Sequence, residues 1–207
     1  MRRPDSVSVT TIEAYRLMTA EVISEESLVD QINRAPPSPE AMERIRVGKE
    51  VADLLELGLT HFIAANPNPA IDPVEFERMF EPEDRQGLPE FWVGGELLGR
   101  WVAAKVDLIL GKEIREFKTT GQFDADKYID SVQWRFYLLL GNLDRCTFRV
   151  FERANDRESA RVKPKSSHTL TMTRYPGMHG DCVAMLQEFE QWERSAIERG
   201  LIKDWRT

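Results

Sequence analysis

Five side chains carry the chemistry legible in this chain: Asp107, Glu116, Lys118, Gln133 and Tyr137. Side chains alternate along a strand, so in Ile114-Arg115-Glu116-Phe117-Lys118-Thr119 the Glu116 carboxylate and Lys118 ammonium share one face with Ile114. Arg115, Phe117 and Thr119 take the other. In the preceding strand Val106 and Leu108 take the buried side and Asp107 the opposite one, and a turn at Gly111-Lys112 lays the two strands side by side. Two carboxylates and an ammonium then converge. Carboxylates that close repel one another, and a hard divalent cation relieves the repulsion; oxygen donors with retained waters suit magnesium or manganese. Such an ion polarises a phosphoryl oxygen, acidifies a bound water and stabilises a leaving alkoxide. Gln133 and Tyr137 stand one turn apart on a helix whose Ile129, Val132, Phe136 and Leu139 form a buried stripe, where an amide and a phenol can orient a phosphate or brace the lysine.

The elements that must hold these groups follow from local pattern. Residues up to about Val9 read as a flexible arm, Thr10-Thr11 as the cap of a first helix, and Ser27 to Ile32 as a second. Ser38-Pro39-Glu40 supplies a cap, a proline at the first helical position and an acid in the first turn of a third helix. That helix is expected to end near Leu57, with Gly58 in the left-handed position beyond it and Ile45, Gly48, Ala52, Leu55 and Leu59 facing the body of the protein. Thr60 to Leu88 reads as a long connection with one short helix around Val74 to Met79. Phe91 to Val93, a turn at Gly94-Gly95, and Leu97 to Leu110 read as strands. Beyond the helix ending at Gly141, Cys146 to Glu152 and His168 to Tyr175 alternate as strands. Asp181 to Arg199 reads as a helix packing Cys182, Met185, Phe189, Trp192 and Ala196 on the core. The expected fold class is α/β: a central mixed sheet flanked by helices, with an N-terminal helical elaboration.

With 207 residues the chain suits one domain, taken here as 1–207, with an arm and helices through residue 40 and a core over 41–199. The apolar fraction of 42% is that of a soluble protein, and no apolar run reaches the length of a membrane span. The start MRRPDSVSVTT lacks the apolar centre of a secretory signal. Cys146 and Cys182 are too far apart for a zinc ribbon or an iron–sulfur cluster and suit a reducing cytoplasm. A net charge of −7 argues against broad coating of nucleic acid, but less against a carboxylate site whose sign is reversed by a bound cation.

At VDLILGKEIREFKTTGQFDADKYIDSVQWRFYLLLG the sequence resembles the PD-(D/E)XK nuclease superfamily, in its RecB-like and phage-exonuclease branch; the likeness runs from about Arg44 to Arg153. It implies a restriction-endonuclease-like core, Asp107, Glu116 and the Phe117 backbone carbonyl as metal ligands, Lys118 as the catalytic lysine, and Gln133 with Tyr137 as the branch's additional motif. It also implies magnesium- or manganese-dependent hydrolysis of linear DNA in a bacterial or phage-infected cytoplasm. A homo-oligomer and a recombination or single-strand-annealing partner protein fit the same picture. The extra ligand common in the branch falls on Ala52, leaving Glu50, Asp53 and Glu56 as substitutes. Arg44, Arg46, Lys49, Lys127, Arg135 and the stretch Arg157 to Lys165, with Arg161 and Lys163, are candidate DNA contacts that also read as solvated charge. An endonuclease or resolvase on the same site, and a non-catalytic DNA- or protein-binding module, are the alternatives.

Overall fold

The computed structural model describes residues 6–154 and 161–204, so Arg157 lies outside the described residues. Its centre is a mixed six-stranded sheet in the order β1-β3-β4-β5-β6, with β2 paired to β3 as well. The strands are β1 (Val7–Ser8), β2 (Leu88–Leu97), β3 (Arg100–Leu110), β4 (Glu113–Thr120), β5 (Arg145–Arg153) and β6 (Pro164–Thr173). One face carries α1 (Val9–Thr19), α6 (Gln133–Gly141) and α7 (Met178–Glu198), whose Ile12, Phe136 and Phe189 pack on Ile114, Phe148 and Val150. The other carries α3 (Pro39–Ala65) and α4 (Pro73–Glu77), whose Leu54 and Phe76 pack on Phe117 and Phe151. The short helices α2 (Glu25–Ile32) and α5 (Ala125–Ile129) complete the set. Because both faces are covered, Cys146 through Phe151 of β5 are all buried.

Local chemistry explains most boundaries. Ser8, Ser24 and Ser38 each accept a backbone N–H at the start of α1, α2 and α3. Gly58, with φ 73°, breaks α3, and the helix resumes to Ala65 where a loose connection was expected. The arm read up to Val9 is in part structure: Val7 pairs in parallel with Val102, and Val9 is buried. The turn between β2 and β3 sits at Leu98-Gly99, not at Gly94-Gly95, through which β2 runs unbroken. Gly94 lets the strand pass close to its neighbour, since a β-carbon would lie a tight 3.1 Å from the Trp101 ring. The inward stripe of α3 is Val47, Val51, Leu54, Leu55 and Phe62, and Ile45 is exposed. The helix carrying Gln133 starts at that residue; Ile129 belongs to α5 and is exposed.

A 3-10 helix, Pro82–Arg85, is bound to the α3 face of the sheet by charge. Asp84 is fully buried, 2.5 Å from Arg115 and 3.9 Å from Arg149. Glu81 bonds Arg149 at 2.6 Å, and Glu113 holds Arg115 at 3.2 Å. Removing the central acid takes one carboxylate from each guanidinium but leaves Glu113 with Arg115 and Glu81 with Arg149. Asp84→Ala is therefore expected to lower unfolding free energy by about 1 to 3 kcal/mol, read from urea denaturation midpoints; a loss no larger than that of a surface variant would contradict this account.

Candidate active site

The site forms where β3 and β4 separate. Their ladder runs Leu110 to Glu113, Ile109 to Ile114 and Leu108 to Arg115, and then stops. The next residues across the gap are Asp107 and Glu116, and side chains take over from the backbone. The Phe117 N–H donates to Asp107 Oδ2 at 2.8 Å, while the Asp107 N–H donates a long 3.4 Å bond to Glu116 Oε2. Strand β3 also changes face here. Val102, Ala104 and Val106 pack in the core beneath α1, α6 and α7, whereas Leu108 packs beneath α3, so Val106 and Leu108 do not share a side as alternation suggested. On the far side of β3, Glu90 stands opposite Asp107 with a left-handed φ of 51°.

Lys118 follows Glu116 on the same face and donates to Glu116 Oε1 at 2.7 Å. Burial alone would depress its ammonium, but the Glu116 and Asp107 charges and this bond outweigh that and hold it above the ordinary lysine value. It is a cation at any physiological pH. Asp107 is pushed up to about 7, first by burial and then by the Glu116 charge, with Lys118 and the Phe117 N–H opposing. The Tyr137 phenol and Cys146 thiol are raised well above their usual values by burial and by the Glu116 charge, so both stay neutral beside the carboxylates.

The other expected residues divide by position. Tyr137 is buried and close enough to feel both carboxylates. Gln133, half-buried at the start of α6, makes no side-chain hydrogen bond to Asp107, Glu116 or Lys118 among the described residues. Glu50 points elsewhere: its Oε2 accepts from Ala70 and Ile71 at 2.7 and 3.1 Å, and its Oε1 accepts from Arg46. Asp53 pairs with Lys49 at 2.5 Å. Glu56, by contrast, shares a cavity of about 140 Å³ with Asp107, Ala52, Glu90 and Arg85. Sequence reasoning missed Glu90 and Arg85, since nothing in β2 or the 3-10 helix marks them before the chain is folded.

Of the basic candidates, Arg44 is exposed, Arg46 also bonds the Asn68 carbonyl, and Arg135 caps the Ser131 and Asp130 carbonyls. Lys165 pairs with Glu152 at 3.1 Å, and Lys127 lies 5.9 Å from the Tyr128 ring. Arg161 is exposed at the strand bridge beside Val162, and Lys163 is half-buried. None of these lines the cavity.

The fold has a solved counterpart. A protein from Eubacterium rectale ascribed an exonuclease role superposes with a TM-score of 0.59 at 14% identity, over 97% of this chain and 84% of its own. The two share a fold. A phage-related exonuclease from Haemophilus somnus (TM-score 0.46, 10% identity, 91% of this chain and 83% of that one) is more distant. So is an alkaline exonuclease from Laribacter hongkongensis (0.43, 12%, 95% of each). No family model matches the chain, and no curated protein matches it. No helix among the described residues is long and apolar enough to cross a membrane.

The raised Asp107 value has a direct consequence for stability without metal. Below about 3.8 the group is protonated folded or unfolded; between there and about 7 only the folded state keeps its proton, so stability falls as pH rises and the loss is complete above about 7. Asp107→Asn removes this term. In buffer containing a chelator the variant is expected to be more stable than wild type at about pH 8, on the order of a few kcal/mol, and equal to it near pH 3.5. Thermal unfolding across pH checks it, and a wild type whose stability gains between pH 4 and 7 relative to Asp107→Asn would refute it.

Proposed function

We propose that this chain is a metal-dependent nuclease that hydrolyses phosphodiester bonds of linear DNA. The observation that carries the reading is the interlock of Asp107 and Glu116 at the parting of β3 and β4, with Lys118 bonded to Glu116. The donor set fits a hard divalent cation: both carboxylates are oxygen donors, and among the described residues no hydrogen-bond donor reaches Asp107 Oδ1. No three His, Cys, Asp or Glu side chains converge among the described residues; Asp107 and Glu116 would hold the ion, the Phe117 carbonyl would be a further oxygen donor, and Glu56 lines the same cavity as Asp107. A magnesium or manganese ion held there supplies Lewis acidity at a phosphoryl oxygen and at a bound water.

The chain's own groups do the rest. Lys118, kept charged by its two carboxylate neighbours, cannot take a proton; it donates, orienting the attacking water and meeting the negative charge that grows on the phosphate. Asp107 must be ionised to bind a cation, so uptake strengthens as pH rises through about 7. Tyr137, neutral and buried, positions the phosphate side of the cleft or braces Lys118, and Gln133, one turn before it on α6, orients the same phosphate. Strand ends are preferred over internal bonds, by likeness to the Eubacterium rectale protein of the same fold, to which an exonuclease role is ascribed.

A time course on end-labelled single- and double-stranded linear DNA, beside a covalently closed circle, tests the proposal. Wild type is expected to digest linear DNA only with magnesium or manganese and to spare the circle. Asp107→Ala and Lys118→Ala are each expected to lose about a hundredfold or more in rate while keeping their fold. Cleavage of the circle would favour an endonuclease, and undiminished activity in either variant would remove the assigned chemistry.

A further inference from the structure

We propose that Arg85 is the substrate-binding cation of the cavity beside Asp107, gripping a backbone phosphate of the nucleic-acid strand whose phosphodiester is cleaved. The inference rests on the nuclease reading above and adds a residue to it. Among the described residues that line this cavity, Glu56, Asp84, Glu90 and Asp107 are acids and Arg85 is the one base. A polyanion entering a wall of that sign is repelled even after a metal ion neutralises part of it. A guanidinium at the wall supplies both the opposite charge and a planar fork that matches phosphate oxygens.

The surroundings of Arg85 hold it ready for this contact. Its neighbour Asp84 is the fully buried acid between Arg115 and Arg149, and its carboxylate also accepts from the Glu81 N–H at 2.9 Å. The backbone that carries Arg85 is thus pinned to the sheet. The guanidinium carbon lies 5.8 Å from the centre of the Phe80 ring, and Nη2 donates to Glu77 at 2.6 Å. Across the gap, the break in α3 at Gly58 leaves its space: a β-carbon there would stand 3.1 Å from Nη1. A pair as exposed as Arg85 and Glu77 adds little to stability, and it does not account for a rigid mount at the lip of the site.

The test uses the full chain with calcium replacing magnesium, which supports binding without turnover, and reads anisotropy of fluorescein-labelled single- and double-stranded DNA across a salt series. Arg85→Gln is expected to weaken binding about tenfold and to lower the slope of log affinity against log salt by about one. In magnesium it is expected to raise KM more than it lowers kcat, with Arg85→Lys restoring the salt slope and part of the affinity. Glu77→Gln, which breaks the ion pair but keeps the guanidinium, is expected to leave the slope unchanged. Equal losses in Glu77→Gln and Arg85→Gln would mean that the ion pair matters and not a phosphate contact, and would overturn the inference. Active wild type with Arg85→Gln unchanged in affinity and slope would overturn it while sparing the nuclease reading. Wild type that neither binds nor cuts DNA would remove both.

Discussion

The candidate site depends on a crossed pair of hydrogen bonds at one point in the sheet. Where β3 and β4 separate, the Asp107 carboxylate accepts from the backbone of β4 and the Glu116 carboxylate accepts from the backbone of β3. Each acid therefore bonds the strand that carries the other, Asp107 firmly at 2.8 Å and Glu116 loosely at 3.4 Å. On its second edge β4 stays in register with β5 along its whole length, from Glu113 with Arg145 to Thr120 with Glu152, so the parting cannot spread. The acids sit at a split that is wedged open on one side and locked on the other. That is how a sheet can hold charge at its centre without fraying.

Putting charge there has a cost that the rest of the molecule offsets. Helices cover both faces, raising the Asp107 carboxyl and forcing Tyr137 and Cys146 to remain neutral. Lys118 gains what Asp107 loses: the same low-dielectric setting that makes two acids repel makes each bind the ammonium more firmly. Arg46 beside Glu50 and Arg135 at the carbonyls before α6 make bonds within the fold.

A second charged assembly, Asp84 with Arg115 and Arg149, lies on the α3 face of the same strands. Arg115 sits between Ile114 and Glu116, so neighbouring residues of β4 supply core packing, loop anchoring and the site in turn by pointing to alternate faces. Buried ion groups of this kind often stabilise no more than apolar packing of equal volume, and here they tie the loop above them to the sheet at Asp84 and Glu81. Here that loop carries Arg85.

The sequence by itself determined what obeys short-range rules. Strand alternation placed Glu116 and Lys118 together, the proline and serine at the start of α3 marked its first turn, and Gly58 was placed in the left-handed conformation it adopts, though as the end of the helix and not as a break within it. The mixed sheet flanked by helices also follows from the order of periodic segments. Only the tertiary structure decided the rest. Leu108 lies on the other face from Val106 because β3 turns over at Asp107, which a strict two-residue period cannot express. Ile45 is exposed because the core it was expected to meet lies under the next part of α3, and Glu50 is used up by the Ala70 and Ile71 amides, groups 20 and 21 residues away. Glu90 and Arg85 line a cavity with Asp107 from segments with no local signal. Spacing along the chain reports which side of an element a residue takes; which partner waits on that side depends on contacts between distant segments, and those exist only once the chain has folded.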